Sequence, residues 1–186
     1  METTQVVEPI KTKWNIDTLH SQIGFKVKHM MFTNVRGYFK EYEADIVTTG
    51  DDFMTAEIDF WINPESITTG DEKRDGHLKN GDFFDVEKYK EINFIGNTYE
   101  KAENDGAYNL YGDLTMKGVT KRIKLKVEFG GLMKDPWGNE KAAFNITGKI
   151  NRKDWGVNWN AALETGGVLV SDEVEINCEV QLSRAE

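Results

Sequence analysis

The sequence predicts an all-β fold in which eight antiparallel strands curl into a closed barrel with one short helical insertion. Three observations predict it. The dominant apolar period is two rather than 3.6. One strand changes its apolar phase part-way along, which marks a bulge or bend. Helix signals are confined to a few short polar stretches.

Taken in order, residues 1–12 are polar, carry Pro9 and read as a loose N-terminal tail, with residues 13–186 forming one domain. The first strand is expected to begin at His20-Ser21, where Ile23, Phe25 and Val27 then alternate with Gly24, Lys26 and Lys28. The strand at 35–47 holds its apolar residues on odd positions at Val35 and Phe39. It then holds them on even positions at Tyr42, Ala44 and Ile46, with Gly37 close by to help the bend. Bends of this kind let a long sheet close on itself. Weaker alternation runs through 56–62, 91–99, 108–116 and 142–150. Two strands are unambiguous. Ile123, Leu125, Val127 and Phe129 alternate with charged residues, and Val174, Ile176, Cys178, Val180 and Leu182 alternate with Glu175, Asn177, Glu179 and Gln181. One wet and one apolar face is the pattern of an antiparallel sheet. Pro64 can open a turn, the polar segment 70–80 is long enough for about two helical turns, and 151–155 suits another short one. Gly130-Gly131, Gly166-Gly167 and the segment Asp135-Pro136-Trp137-Gly138-Asn139 read as hairpin connections.

At 186 residues the chain suits a single domain with a sizeable core. Its net charge of −9 opposes binding to a phosphate backbone, so no nucleic-acid partner is expected. The single Cys178 supports neither an internal disulfide nor a thiolate metal cluster, and it falls on the apolar phase as inert core. The first twenty residues lack an apolar signal segment, and no run approaches the roughly 18 apolar residues of a membrane span. The expectation is a cytoplasmic protein without stable membrane insertion, or a periplasmic or secreted one if a signal has been trimmed.

An eight-stranded barrel is either just filled by side chains or just wide enough for one ligand. Small residues in the apolar phase (Gly37, Ala44, Ala56, Gly112 and Gly148) lie among large rings. The pattern allows a slot, and equally a tapered packed core. The residues that would line a slot are Phe25, Val27, Phe39, Ile58, Phe60, Phe94, Leu114, Ile123, Leu125, Val127, Phe144, Ile146, Ile176 and Val180. Such a wall favours a long apolar guest, each buried methylene being worth about 0.8 kcal/mol.

Seven blocks then become informative. They are Trp14 to His29, Val35-Arg36-Gly37-Tyr38-Phe39, Lys73-Arg74-Asp75-Gly76-His77-Leu78, Asp82-Phe83-Phe84-Asp85, Gly112 to Thr120, and Ile150 to Gly156, the first combining Trp14 to Ser21 with Ile23 to His29. In this order, over about residues 13–183, the sequence resembles the YceI-like family. The resemblance implies an extended lipocalin-like barrel with a helical insertion and a tunnel for a long polyisoprenoid, such as an isoprenoid quinone or polyprenyl diphosphate. It also implies a homodimer. The family's proline after the tyrosine is Lys90 here, and its aromatic after Arg-x-x is Trp155, a larger ring expected to reshape a pocket.

Polar candidates for a ligand headgroup are His29, Arg74 and His77. Arg74 and His77 suit a diphosphate or a quinone oxygen. Arg74 and Asp75 equally suit an ion pair that ties the insertion to the barrel, and His20 and Ser21 suit backbone hydrogen bonds at a corner. Trp137, Trp155 and Trp159 are expected to plug the barrel or line its entrance. No catalysis is expected. Ser21 lacks a G-x-S-x-G setting, Asp75 and His77 are badly spaced for a triad with it, and the histidines at 20, 29 and 77 have no metal-binding spacing. No catalytic cofactor or metal is therefore implied, and the bound group would be the lipid itself. The competing reading is a non-catalytic, stress-related interaction protein with a packed barrel and an acidic surface.

Overall fold

Alternating inward and outward residues build eleven strand segments in the computed structural model, which describes residues 5–104 and 106–186. They are β1 (Lys11–Ile16), β2 (Gln22–His29), β3 (Thr33–Phe39), β4 (Tyr42–Thr49), β5 (Asp52–Ile62), β6 (Ile67–Thr68), β7 (Ile92–Lys101), β8 (Ala107–Met116), β9 (Val119–Lys134), β10 (Glu140–Asn151) and β11 (Val170–Arg184). One helix, α1 (Glu72–Lys79), is capped by the Asp71 carboxylate, which accepts from the Arg74 N–H at 3.0 Å. Short 3-10 turns occupy Pro64–Ser66 and Arg152–Trp155.

All pairing is antiparallel, and the order β1-β4-β5-β7-β8-β9-β10-β11 closes when β11 returns to β1. The barrel therefore has eight staves, as the alternation predicts. Three staves are bent into two segments each. β1 and β2 are the halves of the first. The second is β3 and β4, and β5 continues past its 3-10 turn as β6 to make the third.

The phase change at 35–47 is the second of these bends. β3 stops at Phe39 and β4 starts at Tyr42, so the corner falls at Lys40-Glu41, beyond Gly37. Ser66 Oγ accepts from the N–H groups of both corner residues, at 3.1 and 2.9 Å. Backbone groups that leave the ladder there keep partners.

Several expectations are corrected. The tail ends earlier, because Lys11 and Thr12 already belong to β1 and pair with Thr49 and Thr48. The inward residues of β1 include Thr12, a polar side chain that hides the alternation, followed by the fully buried Trp14. Residues 1–4 of the expected tail lie outside the described part. β2 starts at Gln22, just after His20 and Ser21; the corner expected of them is there, and Ser21 Oγ bonds backbone as expected, accepting from the Gln181 N–H at 2.9 Å. His20 bonds the Asp17 carboxylate at 2.9 Å rather than backbone. Burial opposes charge on Asp17, but His20 and Lys141 outweigh it and hold the carboxyl below its ordinary range. Gly130-Gly131 is not a hairpin turn. It lies within β9, where Gly131 has φ 104° and the register with β10 slips beside Ala143.

Candidate functional site

The barrel is hollow. A cavity of about 650 Å³ runs inside it, within the usual range of small-molecule sites. All fourteen apolar residues expected on the inner face line it: Phe25, Val27, Phe39, Ile58, Phe60, Phe94, Leu114, Ile123, Leu125, Val127, Phe144, Ile146, Ile176 and Val180. The hollow also shows in burial. Phe25, Ile58, Phe60, Ile146, Ile176 and Val180 point inward yet are only half-buried, because their inner faces meet space instead of neighbours.

Glycines keep the space open in a way that size alternation alone does not reveal. A Cβ on Gly37 would sit 2.3 Å from the Phe25 ring, and one on Gly112 would sit 2.4 Å from the Phe94 ring. Both rings therefore lie down on a bare stretch of backbone across the sheet, as the pairings Phe25↔Gly37 and Gly96↔Gly112 place them. Leu125 lies on Gly148 in the same manner. The glycines do not form the slot. They receive the large side chains that would otherwise fill it.

The two ends differ. The cavity stops at Phe53, Tyr108 and Phe144. Behind them Trp14 packs on Phe53 at 4.9 Å, and Phe129 packs on Phe53 and Phe144 at 5.3 and 5.1 Å. Trp14 Nε1 donates to Thr48 Oγ1 at 2.9 Å, so this ring is satisfied as well as buried.

At the other end the wall includes Lys28, His29, Thr69, Asp71, Lys73, Arg74, His77 and Arg152. The exposed lining residues are Lys28, Asp71, Lys73 and Arg74, so the cavity meets solvent here. This mouth lies between α1, the β2–β3 hairpin and the segment that leads into β11.

All three headgroup candidates sit at the mouth. Arg74 donates from Nε to Thr69 Oγ1 at 2.7 Å and from Nη2 to the Thr69 carbonyl at 2.9 Å. Asp75 accepts from the Thr69 N–H at 2.8 Å. The expected Arg74–Asp75 ion pair is thus replaced by a shared grip on Thr69, which fastens α1 to β6. His77 bonds Asp82 at 2.9 Å and meets Phe83 and Trp159 edge-on at 5.1 and 4.6 Å. His29 ends β2 at the rim.

Arg152 was not singled out as a site residue from the sequence. It is buried and donates to the carbonyls of Ser171 (2.9 Å) and Val157 (2.7 Å), which pins the far side of the mouth. Burial pulls its guanidinium below the ordinary value, and Asp172 opposes that shift. The clue available in advance was its place beside Trp155 at the start of a turn.

The tryptophans separate. Trp159 lines the mouth. Trp155 is buried behind the wall, donates to the Leu114 carbonyl at 2.9 Å and does not reshape the cavity. Trp137 is 84% exposed on the β9–β10 hairpin, neither plug nor entrance. Cys178 lines the wall, and burial pushes its thiol up to about 11, which suppresses the reactive thiolate.

Ser21, Asp75 and His77 do not assemble, since each is bonded to different partners. Among the described residues, no three His, Cys, Asp or Glu side chains converge as a metal site. No described helix is long and apolar enough to cross a membrane.

A model of the YceI-like domain matches residues 14–182. The chain belongs to the YceI-like family. UPF0312 protein SAS2572 of Staphylococcus aureus (strain MSSA476) is 36% identical over 176 residues, which cover 94% of this chain and 99% of that one. Among solved structures, the Campylobacter jejuni YCEI protein is 34% identical with a TM-score of 0.71, over 86% of this chain and 90% of that one. A polyisoprenoid binding domain from Saccharophagus degradans shares the fold with a TM-score of 0.66 at 14% identity, over 92% and 98% of the two chains. The bent staves and the capped, one-mouthed lumen are thus set within a YceI-like barrel.

Proposed function

We propose that this barrel binds one long, apolar, polar-headed lipid, a polyisoprenoid such as an isoprenoid quinone or polyprenyl diphosphate, and sequesters or carries it. The tail lies in the lumen and the head stays at the α1 mouth. The observation that carries this reading is the polarity gradient: a hydrocarbon-walled cavity of about 650 Å³ whose charged lining residues all lie at one end. The polyisoprenoid binding described for the Saccharophagus degradans domain supports the choice of lipid class.

The volumes agree with such a guest. A water-sized group takes about 30 Å³ of liquid volume, and a methylene is of comparable size. The lumen thus holds roughly twenty such groups, worth about 16 kcal/mol gross at ~0.8 kcal/mol each. Association and chain ordering take back some 4–15 kcal/mol. The balance still allows tight binding without any covalent step. At the mouth, Arg74 spends Nε and Nη2 on Thr69, and its Nη1 has no acceptor among the described residues. That donor, with Lys73 and the imidazoles of His29 and His77, suits an anionic or carbonyl head. A packed barrel acting only through its surface would require a filled interior.

Native mass spectrometry of the purified protein, paired with organic extraction, tests the reading. The expected result is one co-purifying hydrophobe of defined mass, or stoichiometric uptake of an added polyprenyl compound. Repeated recovery of empty protein that takes up no polyprenyl compound overturns it.

A further inference from the structure

The turn joining β2 to β3 is built from Met30, Met31 and Phe32, which are 55%, 58% and 86% exposed. Three large apolar side chains in succession on a hairpin tip are costly to hydrate. The backbone there is also unusual. Met30 and Met31 both have positive φ, 50° and 66°, and the Phe32 N–H donates to the His29 carbonyl at 3.2 Å. Two central residues at positive φ form the pattern of a type I′ turn, which favours Asn-Gly and disfavours methionine. The turn therefore presents its side chains at a conformational cost.

This tip stands at the rim of the lumen. His29 and Lys28, just before it, line the mouth, and the Met30 N–H donates to the carbonyl of Leu169, another lining residue, at 2.8 Å. The Met31 thioether lies over Gly167, and the 37% exposed Val168 follows directly. The amides of Met30 and Phe32 are thus paired within the protein, which lowers the cost of entering an apolar medium.

Charge singles out the same hairpin. Residues 18–40 contain no Asp or Glu, in a chain that has 32 of them, while Lys26, Lys28, Arg36 and Lys40 all fall there. Lys26 is matched by Glu175 on β11 at 3.2 Å. Of the other three, Lys28 and Arg36 lie on the hairpin, are exposed and have no acidic partner among the described residues, whereas Lys40 sits beside Glu41 at the β3–β4 corner. On α1 and its cap, Lys73, Arg74 and Lys79 are offset by Asp71, Glu72 and Asp75, so the excess positive charge belongs to the hairpin.

We propose that the Met30–Phe32 tip seats reversibly in the headgroup layer of an anionic bilayer and presents the lumen mouth to the membrane. The apolar tip supplies insertion, and the basic flanks supply attraction to the negative surface against the repulsion of the −9 chain. A second copy of the chain fits less well, because a two-fold contact through this tip would bring Lys28 and Arg36 against their own copies. The role in lipid exchange rests on the lumen reading above, whereas the vesicle contact does not.

Flotation with extruded vesicles tests it, using phosphatidylcholine alone and phosphatidylcholine with roughly 30 mol% phosphatidylglycerol. The wild-type protein should bind the anionic vesicles about tenfold or more better, and raised salt should abolish the difference. The variant Met30→Asn/Met31→Gly/Phe32→Ser keeps the turn, since Asn-Gly suits it, and should bind the anionic vesicles about tenfold or more weaker. Trp137→Ser, on the hairpin at the far end, should bind like wild type. Equal binding by wild type and the tip variant overturns the proposal. So does failure of wild type to float, or loss of a wild-type dimer in the tip variant without vesicle binding. Uptake of a polyprenol added from ethanol, measured on the same proteins, separates the two readings. The tip variant should still fill. Failure of wild type to fill counts against the lumen, whatever the vesicles show.

Discussion

The two ends of the barrel are made from the same staves and do opposite work. At the closed end Trp14, Phe53, Phe129 and Phe144 stack ring on ring, and Trp14 is wholly buried. At the mouth, polar side chains hold one another across gaps. Arg74 and Asp75 grip Thr69, His77 meets Asp82 and Trp159, and Arg152 anchors the segment entering β11. The closed end is stabilised by apolar burial, which is strong and little affected by charge screening. The mouth is held by polar contacts, most of them exposed or half-buried and of individually small worth, with Arg152 the buried exception. The contrast implies a division of labour in which one end sets stability and the other sets what is held.

The largest expected effect breaks the closed end. Trp14→Ala removes a fully buried ring and leaves Thr48 without its donor, so urea unfolding should show a loss of about 3–5 kcal/mol. A loss below about 1 kcal/mol would mean that this end does not carry the stability assigned to it.

An intermediate effect is expected from the wall between the ends. In Gly112→Val the new Cβ would sit 2.4 Å from the Phe94 ring and 2.5 Å from the Ile95 carbonyl, so either the ring swings into the lumen or the strands part. Overpacking of this kind costs about 1–3 kcal/mol. Uptake of a polyprenyl chain should fall with it, and Phe94→Ala added to the same protein should restore part of that uptake. Undiminished uptake in the single variant would show that the rings do not need their glycine seats.

The smallest effect on stability, and the most selective on binding, belongs to the mouth. Arg74→Gln removes an exposed guanidinium and should change unfolding by less than about 1 kcal/mol. Its affinity for a polyprenyl diphosphate should drop about tenfold, the worth of a charge-assisted hydrogen bond. Affinity for the corresponding alcohol should hold within about twofold. An equal loss for both ligands would make Arg74 a prop for α1 with no part in reading the head.

Much of this was legible in the chain because a period of two is a local signal. The inward phase of Ile123 to Phe129 or Val174 to Leu182 needs no knowledge of distant residues, which is why the lining residues could be named. The phase change before Tyr42 gave the bend for the same reason. What escaped depends on partners far away in sequence. β1 offers three mixed inward residues, polar Thr12, aromatic Trp14 and aliphatic Ile16, and becomes a strand because β4 and β11 flank it. Gly130-Gly131 looks like a turn until β10 pairs with both sides of it. The hollow itself was undecided, because whether Phe25 and Phe94 fill the lumen or lie on its wall is settled by glycines on neighbouring strands. Trp137, Trp155 and Trp159 are alike in sequence and differ wholly in place.

Calorimetric titration with polyprenols of increasing length tests the central claim most directly. If one closed-ended lumen takes the tail, affinity should rise with each added unit up to about twenty carbons and then level off. The heat-capacity change should become more negative over the same span and stop at the same length. Affinity that ignores chain length, or that climbs without a break well past that point, would contradict a tail enclosed in this barrel.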